Sequence, residues 1–258
     1  MPSLRSLLLG FSVAALVASD CTRDTLKTFT DSLVAAQTKG DPTVFANVPS
    51  YSENFKTLTP KTGILATPLV IAHNRSSYDT TNCSTYTELI ITDPKHPYVL
   101  GTQIRYTADA SNITKMELLV TEAGDWLFNA TGTYYWASKE SWDTISVAKR
   151  DTRAVIQAAA DAYLNIFKDK SVVVPWGTPC DRLEGGSYTG TGKATDSCDV
   201  GIPNNLDLTS RRYVIDETVG AVDVFLAFGG VSGRPDSHEF RIESGKIRYV
   251  HTLTNMRT

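Results

Sequence analysis

Histidine and cysteine are both scarce in this chain, four of each in 258 residues. None of the histidines (His73, His96, His238, His251) stands at ligand spacing from another histidine or a cysteine, so the sequence carries no metal motif. No glycine-rich turn leads into a Lys-Ser/Thr helix start, which excludes a phosphate loop, the SGRPDS segment included. A Gly-x-Ser-x-Gly elbow is also missing, so a Ser/His/Asp hydrolase has no support. Basic residues do not outnumber acidic ones (25 against 28), and they cluster only as isolated pairs such as Lys149–Arg150 and Arg211–Arg212. A nucleic-acid surface is thereby excluded. No stretch has the roughly twenty consecutive apolar residues of a bilayer-spanning helix.

What is present begins with an export signal over residues 1–19. Arg5 supplies the positive charge, Leu7 to Val17 the short apolar run, and Ala18 and Ser19 the small residues of a peptidase site. A buried N-terminal helix is the competing reading, and the polar, cysteine-bearing segment that follows at once argues against it. The four cysteines are then expected to be oxidised. Cys180 and Cys198 bracket a Gly-, Ser- and Thr-rich stretch with little core of its own, which favours Cys180–Cys198 and therefore Cys21–Cys83. Four Asn-x-Ser/Thr sequons, at Asn74, Asn82, Asn112 and Asn129, all fall in the first half. Asn82 is the poorest acceptor of these, because its neighbour Cys83 is expected in a disulfide. A secreted or lumenal glycoprotein with no membrane span is the expectation.

The chain echoes itself. Residues Thr22 to Gln37 place Leu26, Phe29, Leu33 and Val34 at helical spacing, with Thr22 as N-cap. Residues Thr152 to Lys168 repeat the device with Val155, Ala158, Ala159, Ala162, Tyr163, Ile166 and Phe167. Each helix is followed by a Pro-containing irregular segment and then by strands. In the first half these read as Thr85–Thr92, Tyr98–Tyr106 and Lys115–Thr121. In the second they read as Arg211–Asp216, Ala221–Phe228, Glu239–Glu243 and Lys246–Leu253, the last two joined by a tight Ser244-Gly245 turn. A helix packed in a curved antiparallel sheet is the plan of the NTF2/SnoaL-like cone. The expected architecture is therefore α+β, a tandem of two such units: 20–133, a linker at 134–150, and 151–258. Tyr134, Tyr135, Trp136 and Trp142 in and near the linker read as interface packing rather than a ligand platform. The bland alternative is that two α+β stretches merely look alike in composition.

Few residues are equipped for chemistry. Tyr249 and His251 share one face of the last strand, since side chains repeat every second residue. His238 stands in PDSHEFR. An imidazole near a carboxylate such as Asp216 or Glu243 could move protons near neutral pH; a satisfied structural donor is the plain alternative for each. His73 and His96, near sequon-rich or Pro-rich loops, are poorer candidates. The segment PWGTPCDRLEGGSYTG, Pro175 to Gly190, reads as a disulfide-stapled loop carrying Trp176, Asp181, Arg182, Glu184 and Tyr188. Its structural alternative pairs Arg182 and Glu184 with strand charges such as Asp216 or Arg241.

The motifs PWGTPCDRLEGGSYTG, RRYVIDETVGAVDVF and PDSHEFRIESGKIRYVHTLT resemble a family of small secreted fungal proteins. The signal, length and layout are similar to the fungal hetero-Diels–Alderases that make tropolone sesquiterpenoids. That resemblance implies loss of water from a hydroxymethyl tropolone and capture of the quinone methide by a humulene-type alkene. Such an enzyme needs no cofactor, only an apolar pocket and a group that assists departure of hydroxide. Candidate donors are His251 (favoured for proton transfer), His238, Arg182, Arg241, Tyr188 and Tyr249; candidate walls are Trp176, Phe225 and Phe228. Both strand faces cannot line one pocket, so these names cannot all belong to it. The site is expected in the second unit, because glycans on the first would crowd a substrate. A non-catalytic binding module for a small apolar ligand or cell-wall component, and a structural or host-facing glycoprotein, are the competing readings.

Overall fold

The structure is a computed structural model that describes residues 21–257, so the expected export signal lies outside the described residues. Helix α1 (Arg23–Lys39) starts where the Thr22 side chain accepts a hydrogen bond from the Thr25 amide, and ends at Gly40 in the left-handed conformation. Leu26, Thr30, Leu33, Ala36 and Gln37 form its buried stripe. Helix α3 (Arg153–Asn165) repeats the arrangement, capped by Thr152 and burying Ile156, Ala159, Ala160, Tyr163 and Leu164. Between them lies a short helix the sequence reading lacked, α2 (Ala130–Ala137), whose cap is the sequon residue Asn129.

Each long helix precedes a six-stranded sheet. The first contains β1 (Tyr51–Glu53), β2 (Lys56–Thr57), β3 (His73–Asp79), β4 (Ser84–Ile91), β5 (Tyr98–Tyr106) and β6 (Ile113–Thr121), in the order β2-β1-β6-β5-β4-β3. The second contains β7 (Trp176–Glu184), β8 (Ser187–Tyr188), β9 (Leu208–Asp216), β10 (Ala221–Phe228), β11 (Arg234–Glu243) and β12 (Lys246–Thr254), in the order β8-β7-β12-β11-β10-β9. The two orders are the same, so the internal echo is structural. The fold is α+β, with two sheets and three α-helices among the described residues.

Two expectations need correction. The sheets are not wholly antiparallel, because β1 runs parallel to β6 and β7 parallel to β12. The supposed stapled loop is strand β7 with its hairpin to β8. Prolines at 175 and 179 disguised it, and a strand that tolerates proline belongs near a sheet margin. The Ser244-Gly245 turn holds: both residues have positive φ, as a two-residue hairpin with matching twist requires. The two disulfides join Cys21 to Cys83 and Cys180 to Cys198, the expected pairing, and fit a secreted protein. No helix among the described residues is long and apolar enough to cross a membrane.

Three cores result. One lies between α1 and the first sheet and one between α3 and the second. The third, with Tyr86, Ile90, Val99, Leu119, Leu183, Val214, Phe225 and Leu253, joins the opposite faces of the two sheets. Reciprocal ion pairs fix that joint. Arg153, the first residue of α3, makes a two-pronged bond to Asp79 at the end of β3 (2.8 and 2.6 Å), and Asp79 also accepts from the Ile215 amide. Arg23, the first residue of α1, contacts both oxygens of Asp216 at the end of β9 (2.6 and 2.8 Å), and Asp216 accepts from the Tyr78 amide. Both carboxylates are buried while both arginines keep some contact with water.

Removing either arginine strands a buried carboxylate. Arg153→Met should therefore destabilise the protein by roughly 2–4 kcal/mol, short of the top of the range because Arg153 is partly hydrated. Urea denaturation checks this, and a change under about 0.5 kcal/mol, the level of an ordinary surface substitution, would refute it.

Candidate functional site

Strand alternation sorts the candidate residues onto two faces. On β11, Phe240 and Ile242 face α3, while on the other face Ser237 bonds to Asp223 of β10, Glu239 accepts from Ser77 of the first sheet, and Arg241 donates to the carbonyl of Asp143. Asp236 and His238 share the α3 face, and His238 packs against Tyr163, Phe167 and Phe240. On β12, Val250, Thr252 and Thr254 share that face, whereas Tyr249, His251 and Leu253 turn the other way.

A cavity of about 250 Å³ opens on the α3 side. Phe167, Phe228, Trp126, Pro203 and Met256 give it apolar walls, and Arg182, Glu184, His238, Thr252 and Thr254 supply polar groups. The volume is near the lower end for small-molecule sites. His238 Nδ1 lies 2.6 Å from Asp236 Oδ1, and the Thr254 hydroxyl donates to Asp236 Oδ2 at 2.6 Å. His238 and Asp236 are almost wholly buried. A carboxylate can only accept, so the network places a proton on Nδ1 and leaves Nε2 as the second working nitrogen.

Arg182 is held rigidly beside this dyad. Its guanidinium donates to the carbonyls of Cys198 and Val200 (3.0 and 2.7 Å) and pairs with Glu184 at 2.5 Å. The Cys180–Cys198 bridge thus presents the carbonyl that orients Arg182. The alternative partners, Asp216 and Arg241, are taken by Arg23 and Glu243. Arg182 Nε and Thr252 Oγ1 are buried without a hydrogen-bond partner, and both residues line the cavity. A ligand oxygen is the kind of group that satisfies such donors. A second groove of about 240 Å³, sharing Arg182, Glu184 and Gly201, adjoins the first.

The LEGG turn explains how the mouth is built. Gly185 and Gly186 both have positive φ, and a Cβ on either would run into the backbone of residues 126–129. That close approach brings Trp126 to the rim, where its indole nitrogen donates to Glu184 at 3.3 Å.

The first repeat offers an internal control. His238 lies opposite Thr252 where Thr102 lies opposite Leu118, and Asp236 opposite Thr254 where Leu100 lies opposite Val120. Arg182 corresponds to Tyr51. The polar constellation is replaced by a largely apolar core, and the cavity of the first repeat, about 400 Å³, is lined by no histidine, acid or arginine.

The other candidates fall elsewhere. His251 sits between the sheets, 3.1 Å from Glu88 and 2.6 Å from Glu140. Its carboxylate partners are these two, not Asp216 or Glu243. Arg75 bonds Glu239 and lies under the Trp142 ring at 3.8 Å. Tyr249 packs on Trp142, and Phe225 on Tyr86. Arg241 binds the carbonyls of Asp143 and Val219, Tyr188 stacks on Trp136, and Trp176 packs on Tyr163. Of the candidates, only Arg182, His238 and Phe228 line the cavity. Asp236 was missed because the strand was read from Glu239, and extending the alternation back through PDSH finds Asp236 and His238 on one face; Thr252 lay within the last strand as read and Thr254 one residue past it, and neither was considered as a donor.

Glu88, Glu239 and His251 bring ligand atoms within 4.8 Å of one another. Arg75 already stands among them as the cation, within 3.5 Å of Glu88 and 3.2 Å of His251 Nδ1, so the group is an ion-pair centre rather than a metal cage. Burial alone would lower the His251 pKa, but the Glu140 and Glu88 carboxylates hold it up at about 10. Burial likewise opposes ionisation of Glu88, which His251 and Arg75 hold down at about 2.

The second repeat also carries the sequence likeness. Residues 149–254 match DUF8021, a domain of unknown function. The matched region takes in α3 and all of β7–β12, with every residue of the cavity lining except Trp126 and Met256. Among curated proteins the chain finds no match.

A histidine whose folded pKa is raised stabilises fully below its ordinary 6.5 and loses that contribution as pH climbs through about 10. Denaturation midpoints should therefore fall between neutral pH and 10, and His251→Gln should remove that slope. An unchanged slope in the variant would show that another group governs it.

Proposed function

We infer that this protein is a cofactor-free acid–base catalyst acting on an apolar, oxygen-bearing small molecule, with His238 as proton carrier. The observation that carries this reading is the Thr254–Asp236–His238 chain reaching an apolar cavity in one repeat and absent from its twin. Asp236 fixes the imidazole tautomer through Nδ1 and leaves Nε2 as the nitrogen that can pass a proton. Arg182 Nε and Thr252 Oγ1 are donors for an oxygen on which negative charge grows. The aromatic walls exclude water and hold the reacting parts in contact.

Loss of water is the step this set serves best, because His238 in its protonated form hands a proton to a departing hydroxyl. The motif resemblance narrows the reaction to a hetero-Diels–Alder coupling, in which a hydroxymethyl tropolone gives a quinone methide that a humulene-type alkene captures. Arg182 and Thr252 would polarise the oxygen of the heterodiene. The adjoining groove that shares Arg182 and Glu184 gives room for a second partner. Within this reading each repeat is an NTF2/SnoaL-like unit, which the helix on one face of a bulged sheet supports. The chain would act as a secreted glycoprotein, and Asn74, Asn82, Asn112 and Asn129 are all exposed to a glycosyltransferase.

Incubating the purified protein with extracts of a tropolone- or terpenoid-producing strain should yield a new adduct. His238→Gln should slow its formation by about 10²–10⁴-fold, the usual worth of a positioned acid or base. His251→Gln, compared per folded molecule, should leave the rate near that of the parent. Full activity in His238→Gln would remove the dyad from the mechanism, and an extract component bound but returned unchanged would make this a binding module.

A further inference from the structure

We propose that the Arg150–Asp151 bond is a processing site for a dibasic-specific serine endopeptidase of the export route, giving two chains that stay together. The sequence has two adjacent basic pairs, Lys149–Arg150 and Arg211–Arg212. A protease must draw several residues around the scissile bond into an extended conformation in its own cleft, so exposure and anchoring of the backbone decide which pair it can use.

Arg211–Arg212 is withheld. It lies inside β9, paired along β10, with Arg211 bonded to Asp161 and Asn165 and Arg212 to Glu117. Lys149–Arg150 lies instead at the end of a single 3-10 turn, Val147–Lys149, in the irregular segment between the two repeats. Residues 146–149 are exposed, Val147 at 78%. Lys149 has no ion-pair partner among the described residues, the Arg150 side chain donates to the Ile145 carbonyl, and the backbone amides of both residues bond only within the turn, to Ser146 and Val147. The nearest tethers outside the pair are the Ile145 amide to the Thr218 carbonyl and the Gly245 amide to Asp151. The stretch between them is a short arch.

The position also suits a cut. Each disulfide stays within one repeat, so none would bridge the products. The reciprocal pairs Arg23–Asp216 and Arg153–Asp79 cross from one product to the other and keep them joined. The sequence likeness to the DUF8021 family starts at Lys149, at this junction. In the cleavage, the hydroxyl of water goes to the Arg150 carbonyl carbon and a proton to the Asp151 nitrogen, leaving a new carboxylate and a new ammonium.

The test is to secrete the full chain from a host that has a dibasic-specific protease and from the same host lacking it. Intact mass under denaturing conditions should show two chains, one ending at Arg150 and one starting at Asp151, only in the first host. Size exclusion should return them as one particle. Arg150→Gln and Lys149→Gln should each leave a single chain. An uncut chain from the processing host, cleavage at Arg211–Arg212 instead, or products that separate on the column would each overturn the proposal.

Discussion

The exchange of arginines between the repeats is the constraint on which the architecture rests. Each long helix begins with an arginine that reaches across the joint to an aspartate ending an edge strand of the other repeat. Those aspartates also accept backbone amides, so strand ends, helix starts and the joint are fixed together. A buried carboxylate without its arginine would be costly. Few relative placements of the sheets satisfy both pairs at once, and this one presses apolar strand faces together.

Duplication leaves equivalent positions, and their divergence separates structural from chemical roles. Across the joint, Arg75 corresponds to Arg212, Glu239 to Gln103 and His251 to Glu117. One end of the joint is therefore a plain Arg212–Glu117 pair, and the other a dense centre of three carboxylates, an arginine and a histidine. Its charges pair with one another under the Trp142 ring, although Arg75 Nε and Nη1 and Glu140 Oε1 make no hydrogen bond among the described residues. Buried charge so paired fixes geometry, and it explains why a histidine with a raised pKa need not be the catalytic one.

The second repeat is polar at positions where the first is apolar. Leucine, valine and tyrosine in the first repeat stand where Asp236, Thr252, Thr254 and Arg182 stand in the second, and they pack into the core beneath α1. In the second, the dyad and the unpartnered donors are tolerated in an apolar setting. Buried polar groups without a partner occur in both repeats, Thr102 and Tyr106 among those of the first; what sets the second apart is that Arg182 Nε and Thr252 Oγ1 belong to residues lining the same cavity as His238.

The sequence by itself determined both helix starts, through Thr22 and Thr152, the tandem layout, the disulfide pairing and most strands from β4 to β12. Local periodicity and capping decide such features within a few residues of chain. It also placed Tyr249 and His251 on one strand face, correctly. It could not say which face α3 covers, because that depends on the other sheet, more than a hundred residues away. β1–β3 were illegible because short, polar or Pro-flanked strands take their order from neighbours, and β7 because it pairs with β12 at the far end of its repeat. His238 and Arg182 were legible as candidates. Only tertiary structure brought Asp236 and Thr254 behind the first and the Cys198 carbonyl behind the second, since burial and pairing are properties of the packed sheets, not of the strand alone.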